Sequence, residues 1–344
     1  MSNGLKEAEY YEVISEEDKI VKCTLCPLNC ELLRNQKGVC KARMNIGGKL
    51  YSLTYGFTKM RIELIEKQSL FHFYPGSRVQ TFSTYNCNLD CIYCPVADIS
   101  QINSEDITGK RYSPDQALMF AIASGAKVVC FGDSEPLVSF EWVRDTAKLA
   151  KERDMQVVLR TNAYFSEEVV QEILQYVDGI MIEFKAINDE GYKKIASRGS
   201  AEHVKKVTKL IYESGKHLEI GIELHKDIGN DLVTAGALAN WIKTELSQEV
   251  PLHLIRLLPA YKTMNLQPTP QEMLEEAYKL AKEAGLKYVY LDRVPGHKYA
   301  NTYCPNCGEE LITRTPTSTE VRRISLQGLC NKCQTKINIV MSKG

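Results

Sequence analysis

The stretch CNLDCIYC, residues 87–94, sets three thiols within eight residues and gives way to Pro95 with no fourth cysteine nearby. It directly follows residues 78–84, a run read as a β-strand. Six further such runs, at 127–131, 156–162, 179–185, 217–224, 251–259 and 288–292, alternate with helical patterns. That alternation is the signature of βαβ units around a parallel sheet. Two helices carry clear start and stop signals. SPDQALMFAIASG has Ser113 as N-cap, Pro114 in the first turn and Gly125 as stop, and TPQEMLEEAYKLAKEAG pairs Thr269 with Glu272 as a capping box before Gly285. Six or seven repeats predict a full or partial barrel, whose chemistry gathers where the strand C-termini converge. The cysteine loop follows the first strand, FGDSEP the second, RTN ends the third, EFK the fourth, ELHKD the fifth and RLLPAYK the sixth. Polar and reactive side chains thus collect on one rim.

The chain has 344 residues, 44% of them hydrophobic, which suits about two domains with a sizeable core. Its 43 Lys plus Arg balance 43 Asp plus Glu, so no surplus of positive charge is available to neutralise phosphates, and nucleic-acid binding is not expected. The opening MSNGLKEAEYYEVISEEDK is polar and acidic, unlike a signal peptide, and no apolar run reaches bilayer length. A cytoplasmic protein without membrane insertion is the expectation. In that setting twelve cysteines point to metal ligands rather than disulfides. Eleven fall into three sets: Cys23, Cys26, Cys30 and Cys40; Cys87, Cys91 and Cys94; and Cys304, Cys307, Cys330 and Cys333. Cys130 stands alone in the apolar run KVVCFG, where a cysteine ordinarily fills space.

Iron–sulfur cubanes normally take four thiolates, one per iron, so three leave one iron open to a ligand of its own. The rival is a zinc site whose fourth ligand, Cys130, arrives from the neighbouring strand. CxxxCxxC with Tyr93 before the last cysteine resembles the signature of radical S-adenosylmethionine (AdoMet) enzymes. The resemblance implies a [4Fe-4S] cluster on Cys87, Cys91 and Cys94, with AdoMet chelating the open iron. One-electron reduction then yields a 5'-deoxyadenosyl radical. Gly132, Asp133, Ser134, Glu135 and Pro136 resemble the GGEP segment that meets the methionine ammonium, with Asp133 and Ser134 departing from it. Thr161 and Asn162 resemble a ribose-contacting pair, and Lys185 is placed to face a carboxylate. His225 and His297, near strand ends, are further candidates for AdoMet or substrate contact, whereas His72, between Phe71 and Phe73, reads as a packed core residue.

CTLCPLNCELLRNQKGVCKAR, IEKQSLFHFYPGSRV and VPGHKYANTYCPNCG together resemble the radical SAM member of the AmmeMemoRadiSam system, related to pyruvate formate-lyase activating enzymes. This implies an α/β fold: a partial (β/α)6 barrel over 78–300, after a cysteine-rich module at 1–77 and before a zinc-ribbon-like module at 301–344. Pro95, Val96, Leu258 and HKDIGND depart from the relatives on the active rim. Cys304, Cys307, Cys330 and Cys333 form two CxxC pairs 22 residues apart, a zinc-ribbon spacing. The four N-terminal cysteines suit either Zn2+ or a second iron–sulfur cluster, and sequence leaves both open. The expected partners are a low-potential electron donor, ferredoxin or flavodoxin, and an unidentified small-molecule, lipid or peptide substrate. Activation of a glycyl-radical protein is the alternative. A non-catalytic multi-zinc interaction module is the rival from outside enzymology.

Overall fold

The computed structural model describes residues 5–342. Eight strands form one sheet in chain order: β1 (Thr58–Leu64), β2 (Arg78–Thr84), β3 (Val128–Gly132), β4 (Gln156–Thr161), β5 (Gly179–Phe184), β6 (His217–Leu224), β7 (Leu252–Arg256) and β8 (Val289–Asp292). β2 to β8 pair in parallel, and β1 runs antiparallel to β2. β1 and β8 do not pair with each other, so the barrel is open. β3 and β5 are buried along their whole length, which is why they read as apolar runs, broken only by Glu183 in β5. The helices are α1 (Pro114–Ala123), α2 (Phe140–Glu152), α3 (Glu167–Ile173), α4 (Asp189–Ala196), α5 (Ala201–Glu213), α6 (Leu232–Glu245) and α7 (Gln271–Glu283). Among the described residues, no helix is long and apolar enough to cross a membrane.

Two expectations change. The barrel sheet starts before residue 78, because β1 lies within the stretch 1–77 given to the cysteine-rich module and extends the sheet back to Thr58. The capping box of α1 forms between Ser113 and Gln116, but the one expected at Thr269 does not. Thr269 is buried. Its hydroxyl donates to Leu224 O and accepts from Leu257 N at 3.2 Å, joining the ends of β6 and β7.

The connection from β1 to β2 plugs the closed end of the barrel. Phe73 packs with Val79, Val128, Cys130, Val158, Met181 and Ile255 in an interior cluster. A Cβ on Gly179, the first residue of β5, would lie 3.0 Å from the Phe73 ring, so any side chain there would press on the plug. His72 is fully buried between Asn338 O, 2.6 Å away, and the Tyr290 hydroxyl; burial pushes its pKa down to about 3, so it stays neutral.

The N-terminal module consists of two small three-stranded sheets. It sits at the mouth end of the barrel, on its outside. Glu9 and Arg43 reach Glu141 on α2, Leu25 O accepts from Ser166 N at 3.1 Å before α3, and Lys41 donates to Gln101 O at 2.7 Å. The C-terminal module has a three-stranded antiparallel sheet, and its apolar residues Leu311, Ile312 and Ile337 share one cluster with Tyr288, Tyr290 and Phe71. It covers the β8 side of the opening and the plug together. Replacing Phe73 with alanine should therefore cost about 3–5 kcal/mol, read as a lower denaturation midpoint; an unchanged midpoint would show that the plug carries no load.

Candidate active site

The cysteine loop leaves β2 through Asn86, whose φ of 73° turns the chain sharply. Asn86 N donates to Ile99 O at 3.0 Å, while Asp90 N and Ile92 N donate to Ala196 O and Ile195 O at the end of α4. The loop is thereby fixed from both sides. Cys87 Sγ accepts from Leu89 N at 3.4 Å and lies 3.8 Å from Asn162 Nδ2, and Cys94 Sγ lies 3.3 Å from the Ser100 hydroxyl. All three cysteines line one cavity, with Tyr93, Pro95 and Val96. Cys130 does not. It is buried in the interior cluster instead, which removes it as a fourth ligand.

The candidate cofactor contacts divide. Asp133, Ser134, Glu135, Thr161, Asn162 and Lys185 line the cavity with Tyr93, whose buried hydroxyl has no partner. Glu135 is 1% exposed, and both of its oxygens are occupied: Oε1 accepts from Thr161 Oγ1 at 2.9 Å and Leu137 N at 3.2 Å, Oε2 from Asn162 N at 2.8 Å. It organises the Thr161–Asn162 corner. Asp133 is held by Arg61 of β1 and by Ser83. Gly132 lies off the cavity wall, where a Cβ would meet Gln68 Oε1 at 2.7 Å, so its smallness serves the plug. His225 is also apart from the cavity: its Nε2 sits 2.9 Å from Gln267 O, and its Nδ1 accepts from Asp227 N. His297 pairs with Glu275 on α7.

Of a charged floor to the cavity, only Lys185 was singled out from the sequence. Arg160 and Lys185 both pair with Glu183, the former at 2.5 Å, and Arg293 pairs with Glu223 at 2.6 Å. All five line the cavity. Burial alone would raise the Glu183 carboxyl, but Lys185 and Arg160 hold it well below the usual range. The signal was a lone charge inside an otherwise apolar strand, as in VVLRT or GIMIEF, at positions that face the barrel interior.

The outer thiols also divide. Cys304, Cys307, Cys330 and Cys333 are the sole group of three or more ligand residues among the described residues whose donor atoms all lie within 4.8 Å of one another. Neither Cys87, Cys91 and Cys94 nor the N-terminal four are packed so closely.

The Radical SAM superfamily profile matches residues 81–228. An uncharacterized protein of Methanocaldococcus jannaschii is 34% identical over 339 residues, 98% of this chain and 100% of the relative. A pyruvate formate-lyase-activating enzyme of Clostridium pasteurianum is 30% identical over 147 residues, 40% of this chain and 58% of that enzyme. A solved radical SAM methyltransferase from Sphaerobacter thermophilus aligns over 83% of this chain and 76% of its own, with a TM-score of 0.51 at 13% identity, a likeness of fold alone. Open barrel, cysteine loop and relatives together define a radical SAM enzyme, and the chain belongs to that superfamily. Its curated relatives include activating enzymes of pyruvate formate-lyase. The non-catalytic multi-zinc module is thereby set aside. The superfamily implies a [4Fe-4S] cluster and AdoMet, and the residues present fit both: three thiols line one cavity together with charged and polar groups and the unpartnered Tyr93 hydroxyl.

Burial pushes the Glu135 carboxyl up to about 7 from 4.5. The folded protein thus holds this proton more tightly than the unfolded chain. Its contribution to stability is complete below pH 4.5 and is lost as the pH climbs towards 7. Relative to Glu135→Gln, the wild type should lose on the order of 3 kcal/mol across that window, measured as the difference between their denaturation curves at each pH. A wild type that gains stability instead would show that the three donors keep the carboxylate ionised.

Proposed function

We propose that Cys87, Cys91 and Cys94 hold a site-differentiated [4Fe-4S] cluster and that AdoMet occupies the cavity beside it. Together the bound groups supply reductive cleavage of a sulfonium and, through the resulting carbon radical, removal of a hydrogen atom from a substrate. The chain's own residues bind, orient and exclude water. Burial pushes all three thiols up, and the donors Leu89 N at Cys87 and Ser100 at Cys94 act in the opposite direction. The Glu135, Thr161 and Asn162 corner offers a carboxylate and amide groups to the methionine end and ribose, and Lys185, 5.9 Å from the Tyr93 ring, offers a cation to a carboxylate. Pro95 and Val96 give the rim an apolar edge that restricts water. The observation that carries this reading is a buried cavity lined by three cysteines, with Cys130 turned away.

A low-potential donor, ferredoxin or flavodoxin, supplies the electron, and the substrate is a small molecule, lipid or peptide. The similarity to a pyruvate formate-lyase-activating enzyme supports a second reading, activation of a glycyl-radical protein. The resemblance to the AmmeMemoRadiSam subgroup supports the first. Reduced, reconstituted protein should give an electron paramagnetic resonance signal that shifts on adding AdoMet, and Cys91→Ala should lose both the signal and AdoMet cleavage. Unimpaired cleavage by that variant would sink the assignment.

Cys304, Cys307, Cys330 and Cys333 hold a structural zinc ion in this reading. The Sγ separations of 3.5 Å for Cys304–Cys333 and 3.7 Å for Cys307–Cys330 support it, since tetrahedral Zn–S bonds of about 2.3 Å set sulfurs about 3.8 Å apart. Replacing Cys330 and Cys333 with serine should release about one zinc per chain and lower thermal stability, because Val340 is paired to the plug through Tyr74 N and His72 O. AdoMet cleavage at low temperature should persist. Loss of iron in place of zinc would reverse the assignment.

A further inference from the structure

The N-terminal cysteines are the thiol set whose metal the reading above leaves open. Cys23 and Cys26 are buried, Cys30 and Cys40 half-buried, and all belong to or pack on the same apolar core as Cys91. Cys30 and Cys40 flank the Gly38 turn: a Cβ placed there would lie 3.8 Å from Cys40 Sγ and 3.9 Å from Cys30 Sγ. Four thiols in one core pocket form a ligand set. Yet no three of these sulfurs lie within 4.8 Å of one another, whereas the C-terminal four all do. A single tetrahedral ion draws its sulfurs to about 3.8 Å. A cubane instead carries each thiolate on a different iron, and so holds them further apart. Like Cys87, Cys91 and Cys94, and unlike the C-terminal ribbon, the N-terminal set is not drawn together within that limit.

Arg43 provides an independent observation. Its side chain is fully buried, Nη2 lies 2.5 Å from Glu141 Oε1 and Nη1 donates to Glu9 O at 2.6 Å, but Nε has no partner. A buried guanidinium N–H left unpaired is costly unless an anion receives it. Cys23 and Cys40 are close enough for the Arg43 charge to act on both. An anionic thiolate-bound group at their centre meets that need.

We propose that Cys23, Cys26, Cys30 and Cys40 bind a second [4Fe-4S] cluster, with Arg43 beside it as its buried counter-cation. The site lies directly behind the catalytic wall. Ser166 N and Oγ donate to Leu25 O and Thr24 O, tying the first two ligands to the loop after β4. In that loop Tyr164 O accepts from Asn88 Nδ2 at 2.8 Å, and Asn88 Oδ1 accepts from Asn162 Nδ2 at 2.8 Å. Asn88 adjoins Cys87 in sequence. The catalytic role of Cys87 rests on the reading above; the second site does not.

The deciding protein is the full chain with Cys87, Cys91 and Cys94 all changed to alanine, reconstituted anaerobically with iron, sulfide and zinc together. It should retain about four iron and four sulfide per chain, with a dithionite-reduced electron paramagnetic resonance signal that AdoMet does not move. Adding Cys26→Ser and Cys40→Ser should remove that iron and leave the C-terminal zinc. If the extended variant does not fold, the triple variant still decides, because its N-terminal ligands are intact. A triple variant carrying two zinc ions and no sulfide overturns the second cluster and leaves the catalytic reading standing. A wild type with no more iron than the triple variant does the reverse.

Discussion

A single carboxylate buried at the closed end of the barrel holds together parts that no strand pairing joins. Glu219 accepts from His253 at 2.7 Å, His217 at 3.0 Å, His72 N at 2.7 Å and Phe71 N at 3.1 Å. Burial alone would favour its neutral form, but the hydrogen bonds from His217 and His253 hold it well below the ordinary carboxylate range. Two of the four donors are main-chain groups of the plug. That fixes Phe73 under Gly179 and sets His72 against Tyr290 of β8. Arg314 of the C-terminal module then stacks on Phe71 and donates to its carbonyl at 2.7 Å. The edges of an open barrel, left bare, invite pairing with another chain. Here the plug and the ribbon module stand in for the missing seam.

How much of this was legible follows from what each residue answers to. The seven parallel strands lie within a few residues of where the sequence placed them, because strands buried on both faces read as apolar runs whatever surrounds them. The cysteine loop was legible too, since its spacing is a local property. β1 was not. TKMRIEL alternates as a half-exposed edge strand does, but nothing local says that it joins β2 in antiparallel fashion. Thr269 misled for a related reason: Thr-x-x-Glu is a good capping box, yet the pull of two strand ends on one hydroxyl was stronger. Gly132 was legible as a close approach but not as an approach to Gln68, for only the folded plug brings that side chain there.

The N-terminal module shows a different limit. Its place at the mouth end follows from contacts with the first turns of α2 and α3, which lie at that end because each helix begins where its preceding strand stops. None of its residues lines the cavity, so it does not shape the pocket directly. It buttresses from behind. Arg144 joins Glu9 to Glu172 and thus ties the module to α2 and α3 at once.

Charge balance explains the composition of the cavity floor. Arg160, Lys185 and Arg293 are the cations there, Glu183 and Glu223 the carboxylates paired with them, and Asp133 is neutralised by Arg61, leaving Glu135 across the cavity. An oxidised cubane on three thiolates would carry one net negative charge and AdoMet one net positive charge, so the two bound side by side would be neutral together. A neutral guest asks for a neutral host, because an unbalanced buried charge is expensive. Three cations against Glu183, Glu223 and an ionised Glu135 meet that condition. With Glu135 protonated, the floor is left one positive charge in excess, which opposes a cationic sulfonium and ammonium. The carboxyl that burial lifts to about 7 is therefore the group that sets the sign of the cavity.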